Sequence, residues 1–314
     1  MKKYNFCLMN PPYGMGTDTV HLKFVDKCLD IANKQVTIMP FKFIKKDHKI
    51  YKKYKEKEKW SSSLKEVDEV NSNVFNNVAM ESVAIYYFDD DPNDDIYINT
   101  LNKDYVQTIH HFEDYKETNE YEDQLLSYLC NDHIKERCMW AGGYGHESKK
   151  HFMRLGYSKD EAQELSNEEI KKNCMFPLKL NKKVYLILNT VAHTTFFSKN
   201  AGMIFTDLKD FEKHALKMQF SHGFWVMGFD TIKDAENCKD AMTRPLLRFG
   251  MSKANDSLIA IPRKSYKYVP DINWSDDRVK TDEGLLKVCG CPKDKCKEYA
   301  DYCKKIIDEI DARK

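Results

Sequence analysis

The sequence lacks any apolar stretch near the roughly 20 residues that cross a bilayer, and its amino terminus lacks the apolar core of a secretory signal. These absences predict a cytoplasmic protein with no membrane partner. An excess of one charge is also lacking, because 50 Lys and Arg stand against 49 Asp and Glu. The chain therefore has no strong overall field that would indicate a polyanionic partner. Neutral net charge does not exclude DNA binding, but it means that any basic footprint must be local.

Glycine is scarce, with 12 residues in a chain of 314. The only glycine-rich stretch, and so the candidate for a nucleotide site, is Ala141–Gly145. No apolar strand leads into it, and no acidic residue stands where a ribose ligand is required. The stretch therefore predicts a loop. With 42% hydrophobic residues, the chain is still able to bury one large core or two ordinary ones.

A standard metal-binding spacing is missing among the ten cysteines. The last four follow the pattern C-x-C-x4-C-x6-C from Cys289 to Cys303, and no histidine lies nearby. Cys296 and Cys303 stand one helical heptad apart, which favours a buried helix face over a metal site. The other cysteines are scattered and predict reduced thiols.

The first ninety residues do contain an alternation of strand and helix. Tyr4–Met9 is a short apolar strand stopped by two prolines, a helical apolar period follows from Leu22 to Ile31, and Val36–Met39 predicts a second strand. Ser82–Phe88 predicts a third strand, because it is rich in branched and aromatic residues. This order of elements predicts an α/β fold.

The distal part of the chain carries fewer signals. Val184–Asn189 and Phe224–Phe229 predict strands. Thr231–Phe249 predicts a helix that Pro245 must kink or divide, since proline removes a helical hydrogen bond. Glu283–Ile310 predicts a further helical region with an internal break at a glycine and a proline.

Asn10-Pro11-Pro12-Tyr13 directly follows the first strand, and ligands of open α/β sheets bind at the carboxyl ends of strands. The Asn10 amide oxygen and the Pro11 carbonyl can accept hydrogen bonds from an exocyclic amino group, which draws its lone-pair density out of the ring. The ring of Tyr13 can stack on the base, while the prolines hold the turn stiff. The turn therefore indicates chemistry on a nucleobase amine, although Asn-Pro-Pro also occurs in purely structural turns.

This tetrapeptide resembles the catalytic motif of DNA amino-methyltransferases, and its surroundings are similar to the adenine-N6 branch. The helix that begins at His21–Phe24 and the strand Val36–Phe41 resemble the elements that follow the motif in that family. Asn73–Phe88 resembles the later segment in which a phenylalanine stacks on the flipped base. The resemblance implies stacking by Tyr13 on one face of the base and by Phe75 on the other. The alternative for Phe75 is a core aromatic ahead of a strand.

The distal half is similar to methylases of type II restriction-modification systems. The residues that carry this similarity are Phe224–Asp230, Asp234–Asn237, Thr243–Phe249, Lys267–Pro270, Trp274–Ser275 and Thr281–Glu283. The resemblance implies a partial Rossmann-like methyltransferase sheet followed by an α+β target-recognition-like domain. It places the catalytic half in residues 1–105, the target-recognition-like domain in residues 106–270 and a helical segment in residues 271–314.

Double-stranded DNA is the implied partner, and base flipping is the implied mode of access to the adenine. The candidate DNA contacts are Lys42, Lys45, Lys46, Arg244, Arg248 and Lys253. The first three begin a lysine run, which consists of Lys42, Lys45, Lys46, Lys49, Lys52, Lys53, Lys55, Lys57 and Lys59. The alternative for this lysine run is a solvated helix face, because Glu56 and Glu58 interleave with it as i,i+4 pairs require. The alternative for the three distal cations is ordinary helix-surface charge.

The resemblance also implies methyl transfer from S-adenosylmethionine, whose glycine-rich loop precedes the Asn-Pro-Pro-Tyr strand in this arrangement of the family. Nine residues precede Asn10, so the cofactor half is expected on a second polypeptide, and the isolated chain is expected to bind the cofactor weakly or not at all. Two alternatives stay open: a catalytically inactive DNA-binding or anti-restriction protein of methyltransferase descent, and an interaction protein without a nucleic-acid role. The composition, heavy in Lys, Asn, Tyr and Asp, is typical of a phage or a low-GC bacterium.

Overall fold

The structure, a computed structural model, divides into two compact units, which are Met1–Asn119 with Asp256–Leu258, and Glu120–Asn255 with Ile259–Lys314. The residues that it describes are 4–12, 20–45, 49–70, 83–91, 95–101, 106–116, 118–133, 138–141, 145–174, 180–188, 202–218, 224–254 and 263–312. The predicted functional segments, with bounds at 105 and 270, stay predictions. As a compact unit, the first one extends to Asn119, because a strand at Gln107–Ile109 still pairs with its sheet.

The first unit is built on a six-stranded mixed sheet. Its strands are β1 (Tyr4–Met9), β2 (Ala32–Pro40), β3 (Leu64–Val70), β4 (Val83–Asp89), β5 (Ile96–Asn99) and β6 (Gln107–Ile109). They lie in the order β1-β2-β4-β3-β5-β6. β1, β2, β3 and β5 run in one direction, and β4 and β6 run in the other. The predicted α/β fold is confirmed.

Four helices share a core with one face of this sheet. They are α1 (Val20–Ile31), α2 (Lys42–Lys45), α3 (Lys49–Lys55) and α4 (Glu58–Ser61). Leu22, Val25 and Leu29 form the buried stripe of α1, as the helical period predicted. Trp60 of α4 and Phe43 of α2 lie in the same buried cluster, with ring centroids 5.2 Å apart. The core therefore lies on the side of the sheet that carries α1.

The second unit contains an antiparallel sheet of four strands, in the order β7-β10-β8-β9. These strands are β7 (Cys138–Ala141), β8 (Val184–Leu188), β9 (Gly202–Phe205) and β10 (Phe224–Phe229). The strands predicted at 184–189 and 224–229 are confirmed. The expectation that no strand leads into Ala141–Gly145 was wrong, because β7 ends at Ala141, where it pairs with β10, and α6 begins at Gly145. β8 is buried along its whole length, which agrees with its unbroken run of apolar residues.

The helices of the second unit are α5 (Glu120–Leu129), α6 (Gly145–Arg154), α7 (Lys159–Cys174), α8 (Leu208–Met218), α9 (Ile232–Thr243), α10 (Pro245–Ala254), α11 (Asp282–Val288) and α12 (Lys293–Ala312). Pro245 divides the predicted helix at 231–249 and begins α10, where its missing N–H costs no helical bond. Cys296 and Cys303 are fully buried on one face of α12, which confirms the predicted cysteine face.

Candidate functional site

Asn10, Pro11 and Pro12 directly follow β1. Pro11 is buried, whereas Asn10 and Pro12 are exposed, so the buried proline ring anchors a turn that presents its neighbours to solvent. β1 is parallel to β2, with Met9 opposite Thr37, and the carboxyl ends of both strands therefore meet at the same edge of the sheet. Tyr13, the fourth predicted residue of this site, lies outside the described residues.

The chain also leaves β3 and enters β4 at this edge. Pro40 pairs with Val83, and Val83 pairs with Val70, so the end of β2, the start of β4 and the end of β3 form one row. Phe75 falls between Val70 and Val83 in the sequence but lies outside the described residues. Its stacking role stays a prediction. What the structure brings together is Asn10 and the two ends of the segment that contains Phe75.

β1 is an edge strand of the described sheet, and one of its faces is exposed. Tyr4, Phe6 and Leu8 alternate along the strand and therefore share that face, with 48%, 54% and 74% of their surfaces accessible. By register the same face continues into β2 at Val36 and Ile38, which are half-buried. An edge strand that also exposes large apolar side chains is a surface suited to pairing with another chain.

The exposed face becomes acidic towards β3. Glu66 lies opposite Tyr87 of β4, and Asp68 lies on the same face two residues further on. The Asn99 amide donates one hydrogen bond to Glu66 at 3.0 Å and a second to Asp68. Burial and the neighbouring Asp68 carboxylate raise the pKa of Glu66. Because this region is apolar and acidic, it is poorly matched to a phosphate backbone.

Part of the lysine run forms ion pairs within the first unit. Lys57 and Lys59 lie 2.7 Å from Asp26 and Asp30 of α1, respectively, and the Trp60 indole donates to Asp26 at 2.8 Å. Burial raises the pKa of Asp26, but the hydrogen bonds from Lys57, Trp60 and Lys59 outweigh it and lower the pKa below its usual value. This end of the run therefore fastens α4 to α1.

The predicted DNA contacts at the start of the run are placed only in part. Lys42 is half-buried at the start of α2, Lys45 ends that helix and Lys46 lies outside the described residues. Lys52 forms the i,i+4 pair with Glu56 that the alternative reading required, at 3.8 Å. Contact of Lys42, Lys45 and Lys46 with DNA stays a prediction.

The three distal cations are engaged within the second unit. Arg248 donates to both carboxylate oxygens of Asp311, Lys253 lies 2.9 Å from Glu122, and Arg244 donates to the Val279 carbonyl at 2.6 Å. The side chains of Lys253 and Glu122 are only 10% and 2% exposed. These contacts tie α10 and the end of α9 to α5, to α12 and to the segment before α11. They give the three cations a structural role, and contact with DNA stays a prediction.

Sequence reasoning missed a second cationic surface, which lies on α6. Lys150, His151 and Arg154 are exposed there, close to the turn that joins α6 to α7. Two signals for that turn were available in the sequence, namely Gly156 after a run of helix formers and the Ser158-x-x-Glu161 pattern of a capping box.

Two absences hold for the described ranges. No group of three or more His, Cys, Asp or Glu side chains there could hold a metal ion. No helix in those ranges has both the length and the apolar character that a membrane span requires.

Comparison with family models and with curated proteins finds no match. Among solved structures, the chain is similar to one described as the type IIG restriction endonuclease BpuSI, with a TM-score of 0.37 and 9% sequence identity. The alignment covers 97% of this chain and 54% of that chain, so the present chain spans about half the length of that enzyme.

Proposed function

We propose that this chain carries the target-adenine and DNA-recognition half of a DNA adenine-N6 methyltransferase, and that a partner polypeptide supplies the S-adenosylmethionine half. The observation that supports this function is the place of Asn10. It is exposed at the carboxyl end of β1, at the edge of the sheet where the segment containing Phe75 begins and ends. Ligands of open α/β sheets bind at such an edge.

In the proposed reaction the chain binds and orients the flipped adenine. The Asn10 amide oxygen and the Pro11 carbonyl accept hydrogen bonds from the N6 amino group, which turns its lone pair towards the incoming methyl group. Tyr13 and Phe75 stack on the two faces of the base. The rigid Asn-Pro-Pro turn fixes the direction of the amine, so its contribution is one of positioning.

The cofactor site is assigned to the partner because the family resemblance puts the glycine-rich cofactor loop on a strand ahead of the Asn-Pro-Pro turn. The glycine-rich stretch of this chain, Ala141–Gly145, instead runs from the end of β7, a strand of the antiparallel sheet, to the start of α6, and residues 142–144 lie outside the described residues. S-adenosylmethionine, when bound by the partner, would supply the methyl group.

The exposed face of β1 supports the need for a partner. Its outer edge, which pairs with no other strand that the structure describes, could accept a further strand, and Tyr4, Phe6 and Leu8 would be covered by the helices of that added half. Covering a large apolar side chain contributes about 1.5–3 kcal/mol when it passes from full exposure to full burial. These three side chains, which begin about half exposed or more, would contribute a substantial part of the binding free energy.

A purification from the native cell, combined with a methyl-transfer assay, tests the proposal. The tagged chain is isolated with its associated polypeptides, and both the complex and the chain alone are incubated with double-stranded DNA and radiolabelled S-adenosylmethionine. We expect label in N6-methyladenine with the complex and none with the chain alone. DNA binding without methylation in any preparation would favour the inactive DNA-binding or anti-restriction alternative. If no preparation binds or methylates DNA, a role on DNA is refuted.

A further inference from the structure

The turn between α6 and α7 exposes a compact group of apolar side chains. Leu155 is 62% accessible, and Met153 and Tyr157 are each 47% accessible. These three residues lie within five positions of one another at the end of a helical hairpin, which we call the hairpin tip (residues 150–157). Single exposed apolar residues are ordinary, but a group of three at one turn between helices indicates a binding surface.

The hairpin tip is held in one conformation by its own hydrogen bonds. Gly156 adopts a φ of 96°, which lets its N–H donate to the Met153 carbonyl and the Tyr157 N–H donate to the Phe152 carbonyl, each at 3.2 Å. The next helix begins with a reciprocal capping box, in which Ser158 N–H donates to the Glu161 carboxylate and Glu161 N–H donates to the Ser158 hydroxyl. A preorganised turn loses little conformational entropy on binding.

The rings behind the tip also fix its shape. Phe152 is half-buried and meets Tyr157 edge to face, with ring centroids 6.0 Å apart and the planes at 90°. Lys149 donates from α6 to Gln163 of α7 and so joins the two helices. The side of α6 that faces α7 is therefore occupied, whereas Lys150, Arg154 and Leu155 on its remaining side are exposed among the residues that the structure describes.

That remaining side is cationic. Lys150 and Arg154 are four residues apart, as are His151 and Leu155, so the four side chains form one continuous patch on the helix. Lys150 and Arg154 are exposed, and neither has an ion pair or a side-chain hydrogen bond among the described residues. In contrast, Arg244, Arg248 and Lys253 are engaged by carboxylates or carbonyls of the second unit.

We propose that the hairpin tip is a DNA contact of this protein. Lys150 and Arg154 pair with phosphates, while Leu155, with Met153 and Tyr157 beside it, packs in the groove against sugars and base edges. Apolar side chains flanked by cations are the means by which many proteins engage the minor groove. The inference rests on the proposed function, because it takes DNA as the ligand of this chain. A membrane surface fits less well, since three side chains on a short turn bury little apolar area.

The test is a DNA-binding titration of the full chain. Fluorescence anisotropy with a labelled double-stranded oligonucleotide gives the dissociation constant at several salt concentrations for four proteins: the parent, K150E/R154E, L155A and K171E/K172E. The last variant is the matched control, because Lys171 and Lys172 are exposed at the other end of the hairpin and carry the same charge change. Circular dichroism checks that each variant folds, which is expected because the changed side chains are exposed.

We expect K150E/R154E to weaken binding by at least about tenfold and to lower the salt dependence by roughly two, since each lost phosphate contact removes about 0.9 from the slope of log K against log salt. L155A should weaken binding several-fold with an unchanged slope.

Equal affinities and slopes for K150E/R154E and the control would overturn the inference and leave the proposed function intact. No DNA binding by the parent chain would overturn both. Binding of the parent to phosphatidylserine vesicles but not to DNA would also overturn the inference, in favour of a membrane contact.

Discussion

Arg248 of α10 and Asp311 of α12 form a two-pronged ion pair, in which Nη1 donates to Oδ2 at 2.8 Å and Nη2 donates to Oδ1 at 2.7 Å. The Arg248 side chain is 10% exposed, whereas that of Asp311 is 40% exposed. The carboxylate therefore gives two charge-assisted hydrogen bonds to a guanidinium that solvent barely reaches. The pair joins the last helix of the chain to the helix that begins at Pro245.

Asp311→Ala should lower the free energy of unfolding by about 1–3 kcal/mol, because it removes two charge-assisted hydrogen bonds from the largely buried Arg248 guanidinium. Urea denaturation followed by circular dichroism measures the change. Asp308→Ala is the matched control on the same helix, since Asp308 and Lys304 are both more than half exposed and such a pair contributes only about 0.5 kcal/mol. Equal losses in the two variants would show that Asp311 has no special structural role.

The strand and helix signals that were predictable from the sequence share a local cause. Tyr4–Met9 and Phe224–Phe229 are short runs of mostly apolar residues, and Pro245 stops a helix by removing a hydrogen-bond donor, so all three are fixed by nearby residues. β3 was not predictable, because the apolar residues of Leu64–Val70 recur every third position, at Leu64, Val67 and Val70, and this spacing lacks the alternation that indicates a strand. Its place between β4 and β5 depends on pairing with strands that follow it in the sequence.

Asn10→Ala should abolish methyl transfer by the complex of this chain with its partner, because no side-chain amide would then accept a hydrogen bond from the adenine amine. DNA affinity should change by less than about threefold, since phosphate contacts supply most of it. Incorporation of labelled methyl groups and anisotropy with DNA measure the two effects. Asn33→Ala is the control, because Asn33 is exposed at the opposite end of the parallel strand β2. Full activity of Asn10→Ala would disprove the catalytic assignment.

Leu8→Lys should weaken association with the partner polypeptide by about tenfold or more, because it places a charge on the exposed edge of β1 where an apolar contact is proposed. The fold should be unaffected, as Leu8 is 74% accessible. Tyr97→Lys provides the control: Tyr97 is 40% accessible and lies opposite Glu66, on the same face of the sheet but away from β1. Quantitative co-purification measures both, and equal recovery of the partner would argue against β1 as the interface.

The candidate site was predictable only where its residues are contiguous. Asn10-Pro11-Pro12 could be assigned to the end of a strand because the motif and the strand are adjacent in the sequence. The cations of the distal half could not be assigned in this way. Arg248 pairs with Asp311, which is 63 positions further along the chain, and Lys253 pairs with Glu122, which precedes it by more than a hundred residues. Local sequence patterns therefore predict neither partner.

The Asp276–Arg278 pair predicts a stability difference that depends on pH. Asp276 caps the 3-10 turn Asp277–Lys280, accepting from the Arg278 N–H at 2.9 Å, and its carboxylate also accepts from the Arg278 guanidinium. These hydrogen bonds lower the pKa of Asp276 from its usual value to about 2. A carboxyl with a depressed pKa in the folded state stabilises the fold above its unfolded pKa, near 3.8, and this contribution is lost as the pH falls towards 2.

Asp276→Asn keeps a capping oxygen but removes the charge. It therefore isolates the contribution of the Asp276 charge to the stability of the fold. The variant should unfold at a lower urea concentration than the parent at pH 6, and the difference should shrink progressively when the pH is lowered from about 4 to about 2.5. Glu236→Gln on α9 is the control, because Glu236 is exposed and has no ion pair within the described residues. Its difference from the parent should stay small at every pH. A difference for Asp276→Asn that is the same at pH 6 and at pH 2.5 would show that the cap acts through its geometry and not through its charge.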